Sequence, residues 1–187
     1  MVDNQIVVLA GFSSAGKDSF AEILQKDHGY NFVTSHTTRP VREGESQGNP
    51  YHFVSKEDML GMIANDELIE YRTYDTLVDG KPDTWYYAAH KSEVHSDKKY
   101  VCVLDMLGLE EFIEVFGDRV TGVFIEVPHE VREERAKLRG SFDKTEWDRR
   151  LEDDIKVFSD ERIKKSCKFT IQNIDKNVAL KELLQIL

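Results

Sequence analysis

The fold of this chain is decided by the stretch Gly11-Phe12-Ser13-Ser14-Ala15-Gly16-Lys17, which fits the pattern G-x-x-x-x-G-K. An apolar, β-branched run, Ile6–Ala10, precedes this stretch and predicts a buried strand. Beyond Lys17, apolar residues recur on one helical face as far as Gly29. A strand, a glycine-rich loop and a helix in this order predict a loop that binds phosphate, and they disfavour the alternative of an ordinary glycine-rich turn.

The chemistry of such a loop explains its residue types. Glycines let the backbone curl until successive N–H groups converge on phosphate oxygens, and the start of the following helix favours an anion. Lys17 adds a positive charge for the β- and γ-phosphates of a nucleotide. We therefore expect ATP to contact the loop and the two residues after it. These are Gly11, Ser13, Ser14, Ala15, Gly16, Lys17, Asp18 and Ser19.

One residue departs from the usual pattern. A serine or threonine that contacts magnesium usually follows the lysine, but this chain has Asp18 there, with Ser19 next. Asp18 could bind Mg²⁺ directly or through water, or it could repel the triphosphate. We expect a retained but altered contact with Mg²⁺ through Asp18 and Ser19, with Mg²⁺ as the cofactor of ATP.

Composition limits the possible classes of protein. The chain has 187 residues, a net charge of −10 and 40% hydrophobic residues, values that suit one globular domain. The acidic balance disfavours a general nucleic-acid binder, because such proteins need a basic surface. No apolar run approaches the roughly 20 residues that cross a bilayer. The first five residues lack the basic cluster of a secretory signal, and the two cysteines lack metal-binding spacing. We expect a cytoplasmic protein without membrane or nucleic-acid partners.

The remaining pattern predicts an α/β fold. Apolar runs at residues 100–104, 120–127 and Phe169–Gln172 alternate with helical segments, which indicates a parallel sheet with helices on both faces. Residues 146–165 have apolar positions at spacings of three and four, so we expect one amphipathic helix there.

Two polar segments interrupt this alternation. Residues 35–52 are rich in glycine, proline and charged residues, and residues 75–84 contain Gly80 and Pro82, so both are expected to be loops. We interpret about 35–90 as a small inserted subdomain.

Several separated motifs in this insert resemble guanylate kinases, which are P-loop nucleoside monophosphate kinases. They are residues 35–45, residues 48–55, residues 67–71 and the pair Tyr86-Tyr87. The similarity extends from about Ile6 to the C-terminus. The resemblance implies transfer of a phosphoryl group from ATP to GMP, giving ADP and GDP. It also implies a single domain, 1–187. Its parts are a P-loop kinase core (1–34 and 91–187), an α+β GMP-binding insert (35–90) and a helical lid (about 129–150).

The same resemblance assigns the acceptor residues. Arg39, Arg42, Tyr51 and Tyr87 would hold the phosphate of GMP, since a guanidinium grips phosphate with two bonds and a phenol adds a donor. The remaining acceptor residues are assigned to the base and its surroundings. Glu70 would read the N1–H and 2-amino groups of guanine, Ser35 would contact the base, Glu45 would orient the arginines, and Asp105 would serve the base and the magnesium waters.

Catalysis of phosphoryl transfer needs positive charge around the transferred group. Arg135 and Arg139 share a helical face at a spacing of four, and Arg150 lies on the next predicted helix. They resemble the arginines of the kinase lid and would act with Lys17. By the same resemblance, Asn173 would lie near the adenine.

Three alternatives remain at this stage. Ala88 and Ala89 follow the tyrosine pair where many relatives have Gly and then Ser or Thr, so the acceptor could be dGMP or another monophosphate. A non-catalytic guanylate-kinase-like binding module is a second alternative, but such modules usually have a damaged phosphate loop. A GTP-hydrolysing switch is disfavoured because the chain lacks Asp-x-x-Gly and Asn-Lys-x-Asp. Oligomeric state is not indicated by the sequence.

Overall fold

A computed structural model describes residues 6–49, 51–78, 81–138 and 142–187. The described residues form nine strands. In chain order they are β1 (Ile6–Ala10), β2 (Tyr30–Phe32), β3 (His36–Thr37), β4 (His52–Phe53), β5 (Leu68–Val78), β6 (Lys81–His90), β7 (Lys99–Val103), β8 (Val120–Glu126) and β9 (Phe169–Gln172).

Seven α-helices also occur in the described part of the chain. They are α1 (Lys17–His28), α2 (Lys56–Ala64), α3 (Met106–Phe116), α4 (His129–Leu138), α5 (Lys144–Val157), α6 (Asp160–Ser166) and α7 (Lys176–Ile186). Within the described ranges, none of the helices combines the length and the apolar composition that crossing a membrane requires.

The chain divides into two compact units. The first contains residues 1–31 and 99–187, and the second contains residues 32–98. The boundaries therefore fall at 31/32 and 98/99, three residues before and eight residues after the expected limits of the insert. Where the chain leaves and re-enters the first unit, the side-chain amide of Asn31 donates to the carbonyl of Lys99 at 3.1 Å.

The first unit is built on a five-stranded sheet with the order β2-β7-β1-β8-β9. β1 pairs in parallel with both β7 and β8, and β8 pairs in parallel with β9. All five residues of β1 are buried, as expected for a strand that is covered on both faces. The predicted parallel sheet is confirmed.

Helices cover both faces of this sheet. Val7 and Leu9 of β1 belong to one core cluster with Phe20 and Leu24 of α1 and with Leu183 of α7. Gly122 of β8 lies on the opposite face. A Cβ atom added there would lie 3.0 Å from a methyl group of Leu109 in α3 and 2.5 Å from the carbonyl of Ser166 in α6. The helices α3 and α6 therefore approach β8 closely on the second face, and the predicted arrangement is confirmed.

The second unit contains a four-stranded sheet with the order β4-β3-β6-β5 and the helix α2. Its small core cluster joins Met59 of α2 with Leu68 and Ala88 of the sheet. Ser55 caps α2, because its hydroxyl accepts the backbone N–H of Asp58 at 3.0 Å.

The prediction of a polar loop at residues 75–84 was wrong for its described parts, 75–78 and 81–84, which lie in β5 and β6. β5 and β6 form a long antiparallel hairpin whose ladder continues through Asp75↔Thr84 to Val78↔Lys81. The side chains of this pair also meet, since the Thr84 hydroxyl donates to Asp75 Oδ1 at 3.1 Å. Exposed side chains are frequent along this hairpin, so its sequence lacks the apolar alternation by which half-buried strands are recognised.

The prediction of a single helix over residues 146–165 was also wrong. The helical pattern is divided between α5 and α6, because Phe158 is extended and Ser159 caps α6 by accepting the N–H of Arg162. Phe158 is buried, and its ring lies 5.0 Å from that of Phe12, between ring centroids. Burial of this aromatic ring accompanies the break, which periodicity alone does not reveal.

Replacement of Gly122 by alanine tests the close packing of β8. We expect Gly122→Ala to lower the free energy of unfolding by about 1–3 kcal/mol, because the new methyl group meets backbone and packed side chains. Denaturant titration followed by circular dichroism measures the change. Gly61→Ala in α2 is the control. Open space surrounds that position, so alanine should be neutral or stabilise by up to about 1 kcal/mol. Equal effects of the two substitutions would contradict the packing described here.

Candidate active site

The loop between β1 and α1 requires glycine at two positions. Gly11 and Gly16 have φ angles of 152° and 92°, in the region that favours glycine. A Cβ atom at Gly11 would lie 2.5 Å from the carbonyl oxygen of Ile125, and one at Gly16 would lie 2.6 Å from Nδ2 of Asn173. Backbone conformation and close neighbours therefore both favour glycine, which is why the loop can curl tightly at the edge of the sheet.

Asn173 holds this loop in place from the end of β9. Its side chain is buried, and Nδ2 donates to the carbonyl of Ala15 at 2.8 Å. Its backbone N–H donates to the carbonyl of Glu126 in β8 at 2.9 Å. The residue that the sequence assigned to ATP binding thus also links the loop to two strands.

The side chain of Lys17 is held inside the loop. Its ammonium nitrogen donates to the carbonyls of Gly11 at 2.6 Å and Phe12 at 3.0 Å. The positive charge therefore lies where the loop curls.

Among the cavities that border the loop in the described part of the chain, two contain a predicted catalytic arginine. One, of about 330 Å³, is lined by residues that include Ser14, Ser19, Arg135 and Asn173. Arg135 donates to the carbonyl of Asn173 at 2.8 Å, which connects α4 to the end of β9.

The other cavity, of about 150 Å³, is lined by residues that include Ser13, Glu146 and Arg150. Arg150 donates to Glu146 at 2.7 Å, and hydrogen bonds from Arg149 and Arg150 lower the pKa of Glu146 to about 2. Arg139, the third predicted catalytic arginine, lies outside the described residues.

In the second unit, Arg39 is a buried cation with a fixed partner. Its exposed fraction is 4%, and two parallel hydrogen bonds of 2.8 Å join its guanidinium to the carboxylate of Glu45. The rings of Tyr51 and Phe53 lie 5.4 and 5.5 Å from the guanidinium carbon. These contacts hold the guanidinium in one orientation.

Glu45 also reaches the neighbouring arginine. Its Oε2 accepts the backbone N–H of Arg42 at 2.8 Å, while Arg42 itself is exposed. The hydrogen bonds from Arg39, and then from the backbone of Arg42, lower the pKa of Glu45 to about 2. Glu45 therefore stays ionised at neutral pH and fixes Arg39 and the backbone at Arg42.

The two tyrosines assigned to the phosphate lie together. The rings of Tyr51 and Tyr87 are 5.6 Å apart in an edge-to-face arrangement. Ser35, assigned to the base, accepts the backbone N–H of His52 through its carbonyl at 2.9 Å, so it lies beside β4 in the same unit.

Glu70, the predicted reader of guanine, lies on β5. Its carboxylate is 3.4 Å from a guanidinium nitrogen of Arg72, and its side chain is only 10% exposed. Its antiparallel partner on β6 is Ala89, so the two side chains project from the same face of the sheet. Ala88, the neighbouring residue, points to the core cluster with Met59.

Asp105 belongs to the first unit. It follows β7 and caps α3, because its Oδ1 accepts the N–H of Gly108 at 2.8 Å. The structure therefore gives this carboxylate a capping role just after the carboxyl end of β7, the strand beside β1.

Comparison with known proteins shows the family of this chain. The family model described as guanylate kinase matches residues 3–187. The chain belongs to the guanylate kinase family. It is 36% identical over 189 residues to the guanylate kinase of Wolinella succinogenes, which covers 97% of this chain and 82% of that protein. It is 35% identical over 153 residues to the guanylate kinase of Sulfurimonas denitrificans, covering 79% of this chain and 70% of that protein.

A solved structure shows the same fold as this guanylate kinase family member. The crystal structure of guanylate kinase from Anaplasma phagocytophilum superposes with a TM-score of 0.61, over 98% of this chain and 84% of that chain. The two sequences are 24% identical, so this likeness concerns the fold.

Asp154 contacts the loop between β1 and α1 in this family member, although the sequence alone did not indicate it. Asp154, near the end of α5, accepts the backbone N–H of Ser13 through Oδ2 at 2.7 Å. The residue lies in the acidic run Glu152-Asp153-Asp154, which resembles a solvated helix face. Only helical phase distinguishes it, because it lies four residues after Arg150 and four before Phe158 and thus shares their side of the helix.

The pH dependence of stability tests the fixed ion pair in the second unit. The pKa of Glu45 is lowered from its usual 4.5 to about 2 in the folded chain. Its contribution to stability is therefore complete above the unfolded pKa and is lost as the pH falls through about 2. We expect the free energy of unfolding to fall less steeply in Glu45→Gln than in the wild type over this range, as measured by denaturant titrations at successive pH values.

Glu43→Gln serves as the control for this experiment. Glu43 is an exposed neighbour, and it takes no part in the hydrogen bonds and ion pairs among the described residues. That variant should follow the wild-type pH dependence. A Glu45→Gln profile that coincides with the wild-type profile would show that the ion pair does not act in this way.

Proposed function

We propose that this chain transfers the γ-phosphoryl group of ATP to GMP with the help of Mg²⁺, giving ADP and GDP. Membership of the guanylate kinase family identifies it as a nucleoside monophosphate kinase and supports this assignment of donor and acceptor. The observation that supports the proposal is the strand, loop and helix at residues 6–28, in which Gly11 and Gly16 let the loop curl and Lys17 begins the helix.

ATP would bind on the first unit. The amides of the loop would hold its phosphates, and Lys17 would exchange its contacts with loop carbonyls for contacts with the β- and γ-phosphates. The cavity that contains Ser19, Arg135 and Asn173 has space beside the loop for the nucleoside. Asn173 is therefore assigned to the nucleoside side of ATP.

Transfer requires stabilisation of charge on the migrating phosphoryl group. Lys17, Arg135, Arg139 and Arg150 would supply that positive charge, as cations do in phosphoryl transfer generally. The position of Arg150 on a cavity with Ser13 supports its part. A general base is unnecessary, because the attacking oxygen of GMP is already an anion at neutral pH.

Mg²⁺ fits the chemistry of the residues after the loop. Asp18 and Ser19 offer a carboxylate and a hydroxyl, which are hard oxygen ligands, and Ser19 lines the cavity beside the loop. No cluster of three or more metal-binding side chains occurs among the described residues, as expected for an ion held by one or two protein groups and substrate phosphates. Mg²⁺ would neutralise charge on the phosphates of ATP.

GMP would bind on the second unit, corresponding to the proposed insert. The guanidinium of Arg39 is already oriented by Glu45, so little side-chain entropy is lost when a phosphate approaches. Arg42, Tyr51 and Tyr87 would complete the phosphate site, and the exposure of Arg42 leaves its side chain accessible to an anion.

Recognition of guanine would depend on Glu70. A carboxylate can accept both the N1–H and the 2-amino group of guanine, whereas adenine offers no such pair of donors. The low exposure of Glu70 supports specificity, because a wrong base would leave a desolvated carboxylate poorly paired. Ser35, which directly precedes β3, would contact the base. Asp105 would serve the base and the magnesium waters.

The remaining assignments follow from this reaction. Residues about 129–150 would act as a lid over ATP. The substrates would be the only partners required, without nucleic acid or membrane. A cytoplasmic location suits an enzyme of free nucleotides.

An assay of ADP production tests the proposal directly. We expect purified protein with ATP and Mg²⁺ to use GMP in preference to AMP, UMP and dGMP. Lys17→Ala should lower turnover by about 10²-fold, because it removes a cation from the transition state. Lys26→Ala, on the exposed side of the same helix, is the matched control and should retain wild-type turnover. A higher rate with dGMP would favour the deoxynucleotide alternative that Ala88 and Ala89 raise, and no turnover with any monophosphate would reject the kinase.

Substitution of Ala89 tests the guanine site. Ala89→Ser places a hydroxyl opposite Glu70, within reach of the proposed base. We expect GMP to bind more tightly by about 0.5–1.5 kcal/mol, the typical contribution of one hydrogen bond. Calorimetric titration with GMP measures the difference.

Ala88→Ser provides the matched control. Its side chain points into the core cluster, so the hydroxyl should destabilise the fold by about 1–3 kcal/mol without tightening GMP binding. If Ala89→Ser leaves GMP affinity unchanged or weakened, the assignment of Glu70 and its strand partner to the base is wrong.

A further inference from the structure

One amide of the phosphate loop already has an anionic partner within the chain. The backbone N–H of Ser13 donates to Oδ2 of Asp154 at 2.7 Å, and the two residues are 141 positions apart in sequence. This distance is typical of a charge-assisted hydrogen bond. The carboxylate therefore uses a donor of the loop to which the phosphates of ATP are assigned.

Neighbouring contacts hold the carboxylate there. Phe158, one helical turn after Asp154, packs its ring against Phe12 at 5.0 Å, and its backbone N–H donates to the carbonyl of Asp154 at 2.8 Å. The guanidinium of Arg132 lies 4.6 Å from the centre of the Phe12 ring, and the charge of Asp154 acts favourably on that cation. The C-terminal end of α5 is thus held against the loop by the carboxylate of Asp154 and the ring of Phe158, with the guanidinium of Arg132 nearby.

A phosphate oxygen and a carboxylate cannot share this position easily. Both are acceptors for the same N–H, and two anions at contact distance repel each other strongly where water is partly excluded. Lys17 and the start of α1 favour an anion in the loop, and that preference applies to a carboxylate as well as to a phosphate.

We propose that Asp154 sets the affinity of the loop for nucleotide phosphates by competing with them for the N–H of Ser13. The inference rests on the proposed binding of ATP to this loop. When the triphosphate binds, the carboxylate of Asp154 moves away from the N–H of Ser13. That N–H then donates its hydrogen bond to a phosphate oxygen instead. Arg150 lies one turn before Asp154 on the same helix, so this exchange also affects the helix that carries a proposed catalytic arginine.

A purely structural role for Asp154 makes the opposite prediction. If the contact only held α5 against the loop, its loss would disorder the site and weaken the binding of ATP. A competitor, when removed, leaves the donor available and tightens binding. The sign of the change in affinity therefore distinguishes the two roles.

Calorimetric titration with two probes tests the proposal. The two probes are ATP and inorganic tripolyphosphate, and GMP is left out of both titrations. Each probe is titrated separately, in the presence of Mg²⁺, into the wild type and into Asp154→Asn. Asparagine keeps the shape and a neutral acceptor for Ser13, so the fold is retained while the negative charge is removed. We expect both probes to bind roughly tenfold more tightly to Asp154→Asn, because a charged competitor is replaced by a weaker one. GMP, titrated alone, should bind as it does to the wild type.

Glu152→Gln is the matched control. It removes the same charge from the same helix, but Glu152 is exposed and makes no hydrogen bond or ion pair with the described residues. Glu152→Gln should change the affinity for tripolyphosphate by less than roughly twofold, because solvent and salt screen the effect of a distant surface charge. Asp154→Ala is a second variant, and circular dichroism establishes that each protein is folded.

The outcomes separate the two levels of inference. Asp154→Asn decides the test, and Asp154→Ala replaces it only if Asp154→Asn does not fold. Tighter binding of both probes to the deciding variant, relative to Glu152→Gln, supports competition. Unchanged or weaker binding to that variant overturns it, while wild-type binding of ATP leaves the proposed function intact. If the folded wild type and all variants bind neither ATP nor tripolyphosphate, the proposed function and this inference are both rejected.

Discussion

The close approach of the backbone at residues 11–17 to its neighbours is the constraint on which the rest of the structure depends. Gly11 lies against the carbonyl of Ile125 in β8, and Gly16 lies against the side chain of Asn173 after β9. Side chains larger than hydrogen at these positions would push the loop away from two strands. Because β1 is the central strand of the sheet, the loop emerges at its middle, where the ends of β8 and β9 can both support it.

The charges of the site are handled locally, although the chain as a whole is acidic. Arg39 is paired with Glu45, Arg150 with Glu146, and Lys17 with the carbonyls of its own loop. Each pairing holds a side chain in one position at a small cost in free energy, because both polar groups keep a hydrogen-bond partner. A net charge of −10 is therefore compatible with sites for two anionic nucleotides, since only the cations near each phosphate determine its binding.

Much of the first unit could be predicted from the sequence, because strands buried on both faces are apolar throughout and short loops separate them from helices. The two failures have physical causes. The hairpin of β5 and β6 has many exposed side chains, so Asp75 and Thr84 carry no apolar signal although they pair directly. The break between α5 and α6 accompanies burial of Phe158 against a ring distant in sequence. The contact between Asp154 and Ser13 was missed for the same reason, since it joins segments whose proximity only the tertiary structure creates.

The hydrogen bond between Asn31 and Lys99 has a consequence for how this architecture arises. The chain leaves the first unit after Asn31 and returns to it at Lys99, and these two residues are hydrogen-bonded. Residues 32–98 therefore form an excursion, meaning an inserted segment whose two ends lie close together. Pairing of β1 with β7 must close that excursion, and closing a long disordered loop is entropically costly. A contiguous segment with its own sheet and core can become ordered by itself and bring its ends together. Such a segment can also lengthen or shorten over evolutionary time, since the register of the surrounding sheet does not depend on its interior.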